Sequence, residues 1–217
     1  PPDETHRVVA EIVDMSNTHI FEAASSYLQE LAELARGAKA TDRVGATLSL
    51  DEGAERAVQL LLATAGSGKV MAIGNGGSAA IASHLQNDIC KAVGLRGLVF
   101  NEQPLLTALA NDDGYEAVFE TPVRLWAETG DVLVAISSSG RSPNILRAAQ
   151  VGAEQGCEVI TLSGFDEDNP LRTLGAVNFY VASGVYGLVE NVHGAVTHFL
   201  TDRALQIIKS RADTGAE

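Results

Sequence analysis

Twice in this 217-residue chain a short apolar run stops in a loop of glycine or serine, and a helical pattern begins at once. The first is KVMAIG followed by NGGSAA, from Lys69 to Ala80. The second is DVLVAIS followed by SSGRSPN, from Asp131 to Asn144. An apolar run without polar alternation reads as a strand covered on both faces. Strands of that kind, alternating with helices, build a mostly parallel sheet between helical layers. With 46% hydrophobic residues the chain has enough apolar material for one buried core, and a single domain over 1–217 is expected.

The rest of the pattern agrees. LRGLVF, EVITLSG and AVNFYVAS read as three more strands, which predicts a mostly parallel five-stranded sheet in an α/β, three-layer α-β-α sandwich. Helical periodicity covers Thr18–Arg36 and Asp51–Ala65, with a Gly/Lys/Thr-containing link between them. It covers Ser78–Ala92, most of Pro104–Glu128 with a break at Asn111–Gly114, Ser142–Gly156, and Leu188–Ser210. The first 47 or so residues form a helical extension, residues of about 48–210 form the core, and ADTGAE reads as a frayed tail.

Net charge narrows the partners. The formal charge is -13 and the pI about 4.7, which disfavours nucleic acid and anionic membranes. No apolar run reaches the roughly 20 residues of a membrane span. PPDETHRVVAEIVD has no basic segment leading into an apolar core, so no secretory signal is expected. Cys90 and Cys157 stand apart without metal-ligand spacing. A reduced, cytoplasmic protein is expected.

An acidic chain that binds a phosphorylated ligand must do so locally, with backbone N–H groups and hydroxyls. The first loop matches G-x-G-x-x-A at Gly74, Gly76 and Ala79, a partial dinucleotide fingerprint. The fingerprint also needs an acid about 20 positions on, at the end of the next strand, to hold a ribose. The nearest, Glu102, comes late, so no nucleotide cofactor is expected. The second loop gathers Ser137, Ser138, Ser139 and Ser142 at one strand end, with Ser142-Pro143 reading as a helix cap and first helical position. Serines serve as ordinary caps, yet four at one strand end exceed what capping uses. A helix N-terminus accepts an anion, and clustered hydroxyls complete a cage for a phosphate monoester. A sugar phosphate is the expected ligand.

GNGGSA and SSSGRSPN at this spacing resemble the sugar isomerase (SIS) domain, a flavodoxin-like fold, from about Leu48 to Ile208. Within it, His84, NDDGYEAVF and VENVHGAVTHF resemble the phosphoheptose isomerases, which interconvert sedoheptulose 7-phosphate and a heptose 7-phosphate. The resemblance implies a substrate and phosphate site at Asn75, Gly76, Gly77, Ser78, Asp112, Ser137, Ser138, Ser139 and Ser142. That family carries a His-x-x-x-Glu pair on the first helix and a Gln-x7-His pair on the last, and some members bind zinc there. The matching positions here are His84 and Asp88, then Glu190 and His198. They are expected to hold zinc or another divalent ion, with Asp88 and His198 as the catalytic acid–base pair. Family members are homotetramers, so the resemblance implies a homo-oligomer, with a tetramer as the expected form.

Residue chemistry supports the grouping. His84 and Asp88, four apart, share a helix face. Two imidazoles and two carboxylates suit a divalent ion. Plainer readings exist: His198 as a satisfied core histidine and Asp88 as a solvated helix-face charge, with His193 either structural or a support behind the site residues. Three departures stand out. Asp88 and Glu190 replace the family's glutamate and glutamine, Gly187 and Leu188 stand where polar residues read sugar hydroxyls, and Ala92 replaces an arginine beside Lys91. A sugar phosphate other than the heptose is therefore also open. The competing class is a SIS protein that senses sugar phosphates or bridges to a partner without catalysis.

Overall fold

The computed structural model describes residues 21–214. Helix α1 (Ala24–Arg36) leads into two short strands, β1 (Lys39–Asp42) and β2 (Thr47–Leu48), and helix α2 (Leu50–Ala63). There follow β3 (Val70–Gly74), α3 (Gly77–Asp88) with a π-turn at Ile89–Val93, β4 (Gly97–Val99) and α4 (Gln103–Asp112). A 3-10 turn at Tyr115–Ala117, α5 (Glu120–Trp126), β5 (Val132–Ser137), α6 (Pro143–Glu154), β6 (Glu158–Gly164), β7 (Val177–Val181) and the long α7 (Tyr186–Thr214) complete the chain. Thr18–Ile20, the start of the first expected helix, lie outside the described residues. The expected frayed tail is helical as far as Thr214, and residues 215–217 also lie outside the described residues.

The five strands read from the sequence pair in parallel, in the order β4-β3-β5-β6-β7. Strands β3, β5 and β7 are buried along their whole length and β6 beyond its first residue, which is why their sequences carry no polar alternation. Successive side chains still take opposite faces. Val70, Ala72, Val134 and Ile136 pack under α2, α3 and α7, while Met71, Ile73, Leu133 and Ala135 pack under α4, α5 and α6. The result is the expected three-layer sandwich. No helix among the described residues is long and apolar enough to cross a membrane.

The sheet is wider than five strands. The link between α1 and α2 supplies β1 and β2, which continue it antiparallel beyond β7. A two-residue and a four-residue strand leave almost no periodic signal. A buried amide braces the junction. Asn178 on β7 accepts from Thr161 Oγ1 at 2.7 Å and from the Gly175 N–H at 2.9 Å, and donates to the Asp42 carbonyl at 3.2 Å. It thereby welds β1 to the parallel core. Helix α2 opens one residue before the expected Asp51, because Ser49 and Glu52 form a reciprocal capping box.

Replacing Asn178 by alanine strands several of these buried groups at once. With each unsatisfied group costing about 1–3 kcal/mol, the variant is expected to lose roughly 3 kcal/mol of stability. The urea midpoint of Asn178→Ala against the parent chain measures it, and an unchanged midpoint refutes the weld.

Candidate active site

In strand order β4-β3-β5-β6-β7, the chain leaves β3 toward one edge of the sheet and β5 toward the other. The crevice above the carboxyl ends of β3 and β5 is thus the topological switch point, where open α/β sheets bind ligands. Both glycine/serine loops emerge there, side by side, because Gly74 pairs with Ile136 in the ladder. Helices α3 and α6 therefore start next to one another, with their free N–H groups aimed at the same space.

Each loop has a local reason to turn where it does. Gly76 sits at φ +53, ψ -121, a conformation that suits only glycine. A methyl group on Gly74 would overlap the Ser78 backbone, so only glycine lets the helix start this close to the strand. In the second loop Gly140 has φ +62, and Asn169 packs against its Cα. Ser142 and Pro143 hold the cap and first helical positions, as expected. The Ser142 hydroxyl does not cap the helix: it accepts instead from Ser137 Oγ at 3.2 Å. Ser138 Oγ is buried with no hydrogen-bond partner. Ser142 thus does not serve as a plain cap, and the unpartnered Ser138 hydroxyl is left for a ligand.

A cavity of about 120 Å³ opens between the loops, lined by Asn75, Ser78, Ser137, Ser138, Ser139, Ser142, Tyr186 and Glu190 among others. Gly76 and Gly77 form the head of α3 beside it. Asp112 is not part of this wall: it ends α4, exposed, and accepts from Asn111 Nδ2 at 2.7 Å. Arg141 points elsewhere too, with its guanidinium on Asp166 and Asp168 at 3.2 and 3.1 Å. No lining residue is basic, so the N–H groups and hydroxyls must carry anion recognition.

The acid–base group assembles where α3 meets α7. Asp88 Oδ2 lies 3.4 Å from His84 Nε2 and 3.3 Å from His198 Nδ1. The two imidazoles meet edge to face with centroids 4.8 Å apart. Neither plain reading holds: His198 is about half exposed, and Asp88 is mostly covered and faces both rings. One ligand atom from each of the three lies within 4.8 Å of the others. Donors about 2.1 Å from a tetrahedral ion stand about 3.4 Å from each other, which the two measured separations match. The donor set, two nitrogens and one carboxylate oxygen, suits a divalent metal of the zinc kind.

Glu190 is not in this cluster. Eight residues separate it from His198, about 12 Å along a helix axis, and its carboxylate packs against Gly77 at the head of α3 instead. Burial raises its pKa, and no cation is among the causes of the shift. His193, one turn beyond Glu190, is fully buried, with Nε2 3.1 Å from the Ser163 carbonyl oxygen. It is structural, as expected.

Several pocket residues went unread in the sequence. Tyr186 lines the wall, while Tyr115 and Asn144 reach Asn75 from two other segments. Both lie in stretches already singled out, NDDGYEAVF and SSGRSPN, but nothing in one sequence shows which way such side chains point.

Among characterised proteins, the SIS domain family's profile matches residues 26–164. The phosphoheptose isomerase of Pelobacter propionicus is 36% identical over 155 residues, 69% of this chain and 82% of that protein. That of Helicobacter hepaticus is 37% identical over 141 residues, 62% and 71% of the two chains. The structure of phosphoheptose isomerase from Neisseria gonorrhoeae superposes with a TM-score of 0.67 at 28% identity, covering 92% of this chain and 97% of that one.

His193 sets an acid limit on this scaffold. Desolvation holds its pKa down to about 4, against 6.5 in an unfolded chain. Between those values the unfolded state binds a proton that the folded state refuses. Stability is therefore expected to fall as pH drops from 6.5 toward 4, by on the order of 3 kcal/mol. Urea midpoints across that range should decline more steeply for the parent chain than for His193→Asn, and parallel slopes would remove His193 as the cause.

Proposed function

The chain belongs to the SIS domain family, among the phosphoheptose isomerases, and is a sugar-phosphate aldose–ketose isomerase; we propose that its serine pocket holds the phosphate while Asp88 and His198 move the proton between adjacent sugar carbons. The observation that carries this division is the pair of sites itself: a serine-lined cage without a basic residue at the switch point, where α3 and α6 begin, and a His–Asp–His group farther along α3, where it meets α7.

Isomerisation takes a proton from one carbon and returns it to the next through an enediol(ate), with a second group managing the protons on the two oxygens. Asp88 is the group with the charge and the cover for the first task. His198, about half exposed and with Nδ1 3.3 Å from Asp88 Oδ2, suits the second. Asp88 is one methylene shorter than the glutamate of the related pattern, so the carbon it serves must come closer to α3. When bound, a divalent ion held by His84, Asp88 and His198 would polarise the sugar carbonyl. Zinc is the ion this donor set suits best. Glu190 serves as a pocket wall rather than a fourth ligand.

The substrate class follows from the cage. A phosphate monoester fills the serine pocket, and the carbon chain runs toward Asp88. Sedoheptulose 7-phosphate is the first candidate. Leu188 is fully buried, and Gly187 faces the Tyr27 hydroxyl, so neither reads a sugar hydroxyl here. Retained acid–base groups favour catalysis over a sensing role.

The chain also associates with itself. Phe199, half exposed beside His198, borders an apolar hollow with Ala35, Val192 and Val196 on α1 and α7. A second copy, and by the resemblance a tetramer, covers that face. Light scattering at micromolar concentration should report an oligomer; a monomer refutes it.

Incubation with sedoheptulose 7-phosphate and other ketose phosphates in deuterium oxide should place solvent deuterium at C1 or C2. Asp88→Asn and His198→Ala should each lower exchange by a hundredfold or more, in line with the loss of an acid–base group, about 10²–10⁴. Elemental analysis of the purified protein should find about one divalent ion per chain. Binding without exchange would make the protein a sensor. Full turnover after strong chelation would leave Asp88 and His198 as a metal-free pair.

A further inference from the structure

The two anion loops come from different βα units, and something must fix the gap between them. The ladder between β3 and β5 sets their roots, but the loops extend beyond it. One side-chain pair crosses the gap. Asn75 Nδ2 donates to Asn144 Oδ1 at 3.0 Å, and Asn144 Nδ2 donates back to Asn75 Oδ1 at 2.9 Å. Asn144 is buried at the first turn of α6, and Asn75 lies in the first loop.

The orientation of this pair follows from the backbone. The Ile145 N–H donates to Asn144 Oδ1 at 3.0 Å, so that atom is the oxygen. Asn75 must then present its NH₂ to it and its oxygen to Asn144 Nδ2. That oxygen has one more lone pair, and the Tyr115 hydroxyl fills it at 2.9 Å. Tyr115 thus donates. Asn75 keeps a single side-chain N–H, which is the one group it can offer into the cavity it lines.

Tyr115 arrives from a third segment. Gly114, at φ +87, turns the chain into the 3-10 turn, and the next residue, Glu116, is ion-paired with Arg147 on α6. The turn therefore rides on the helix that carries the second loop, while its hydroxyl holds the first. The ring is itself half exposed, so burial alone does not account for this placement.

We propose that Asn144 and Tyr115 are positioning residues which, through Asn75, set the separation of the two helix N-termini to the size of one phosphate and aim the remaining Asn75 N–H at it. This rests on the reading of the serine pocket as the phosphate site. Neither residue needs to touch the reacting carbons. The phosphate handle is bound alike before and during proton transfer, so the loss should fall on KM rather than kcat.

The test uses the full-length protein as purified, with inorganic phosphate as the calorimetric probe and sedoheptulose 7-phosphate as substrate. Tyr115→Phe removes one hydroxyl from an exposed ring and should leave the melting temperature unchanged. It is expected to raise KM and the phosphate dissociation constant about fivefold, the worth of one hydrogen bond, with kcat within twofold. Asn144→Ala should raise both about tenfold or more. In an Asn75→Ala background, Tyr115→Phe should add nothing. An equal effect of Tyr115→Phe in both backgrounds, or a fall in kcat at constant KM, overturns the inference. So does normal phosphate binding in Tyr115→Phe and Asn144→Ala while Ser142→Ala binds weakly, with the phosphate pocket then still standing. If Ser142→Ala also binds phosphate normally, the pocket reading fails and the inference with it.

Discussion

Everything at this site depends on the reversal of winding between β3 and β5. A parallel strand cannot turn straight back; it must cross over through a helix, and that helix starts at the strand's carboxyl end. At most positions in a sheet, neighbouring crossovers lean the same way and crowd one another. Where the direction reverses, two helix starts stand side by side with a crevice between them. The serines, the glycines and the Asn75–Asn144 pair furnish that crevice. Its position is a property of strand order, and the side chains only decide what it holds.

With the serine pocket proposed as the phosphate site, the electrostatics explain how a strongly acidic protein would manage a dianionic group. The one arginine close to the second loop is taken by Asp166 and Asp168. What remains are partial charges: peptide N–H groups, which cannot swing away, and serine hydroxyls, of which Ser138 has no partner in the fold. Fixed dipoles need no reorganisation to receive a ligand and add no net charge that would draw in stray polyanions. Burial of the Glu190 carboxyl at the edge of this space disfavours its charge, which lessens its repulsion of a phosphate.

Much of this was legible in the sequence, and the boundary has a physical basis. Strand–loop–helix units announce themselves because a strand buried on both faces has to be apolar throughout, and a phosphate turn has to be glycine and serine. Both loops, five strands, and the pairing of His84 with Asp88 on one helix face follow from local periodicity alone. What stayed hidden is held by single long-range contacts. Strands β1 and β2 are too short to carry a period, and β1 is braced by Asn178 on the neighbouring strand β7. Glu190 and His198 share a helix and look like one group in a linear pattern, but 12 Å of rise sends them to two different neighbours. Asn144, in the first turn of α6, and Tyr115, in the 3-10 turn, show no role until the fold brings them against Asn75.

The pairing of β3 with β5 also orders events in time. Val70 meets Val132 in the ladder, about 60 residues further along the chain, and contacts so far apart in sequence are slow to close. A growing chain completes its first glycine loop, and the whole of α3, long before Ser137 exists. Until β5 and α6 have been made and docked, His84 and Asp88 stand on a helix with no substrate to receive. The proposed site is thus complete only in a chain that has closed the sheet between β3 and β5.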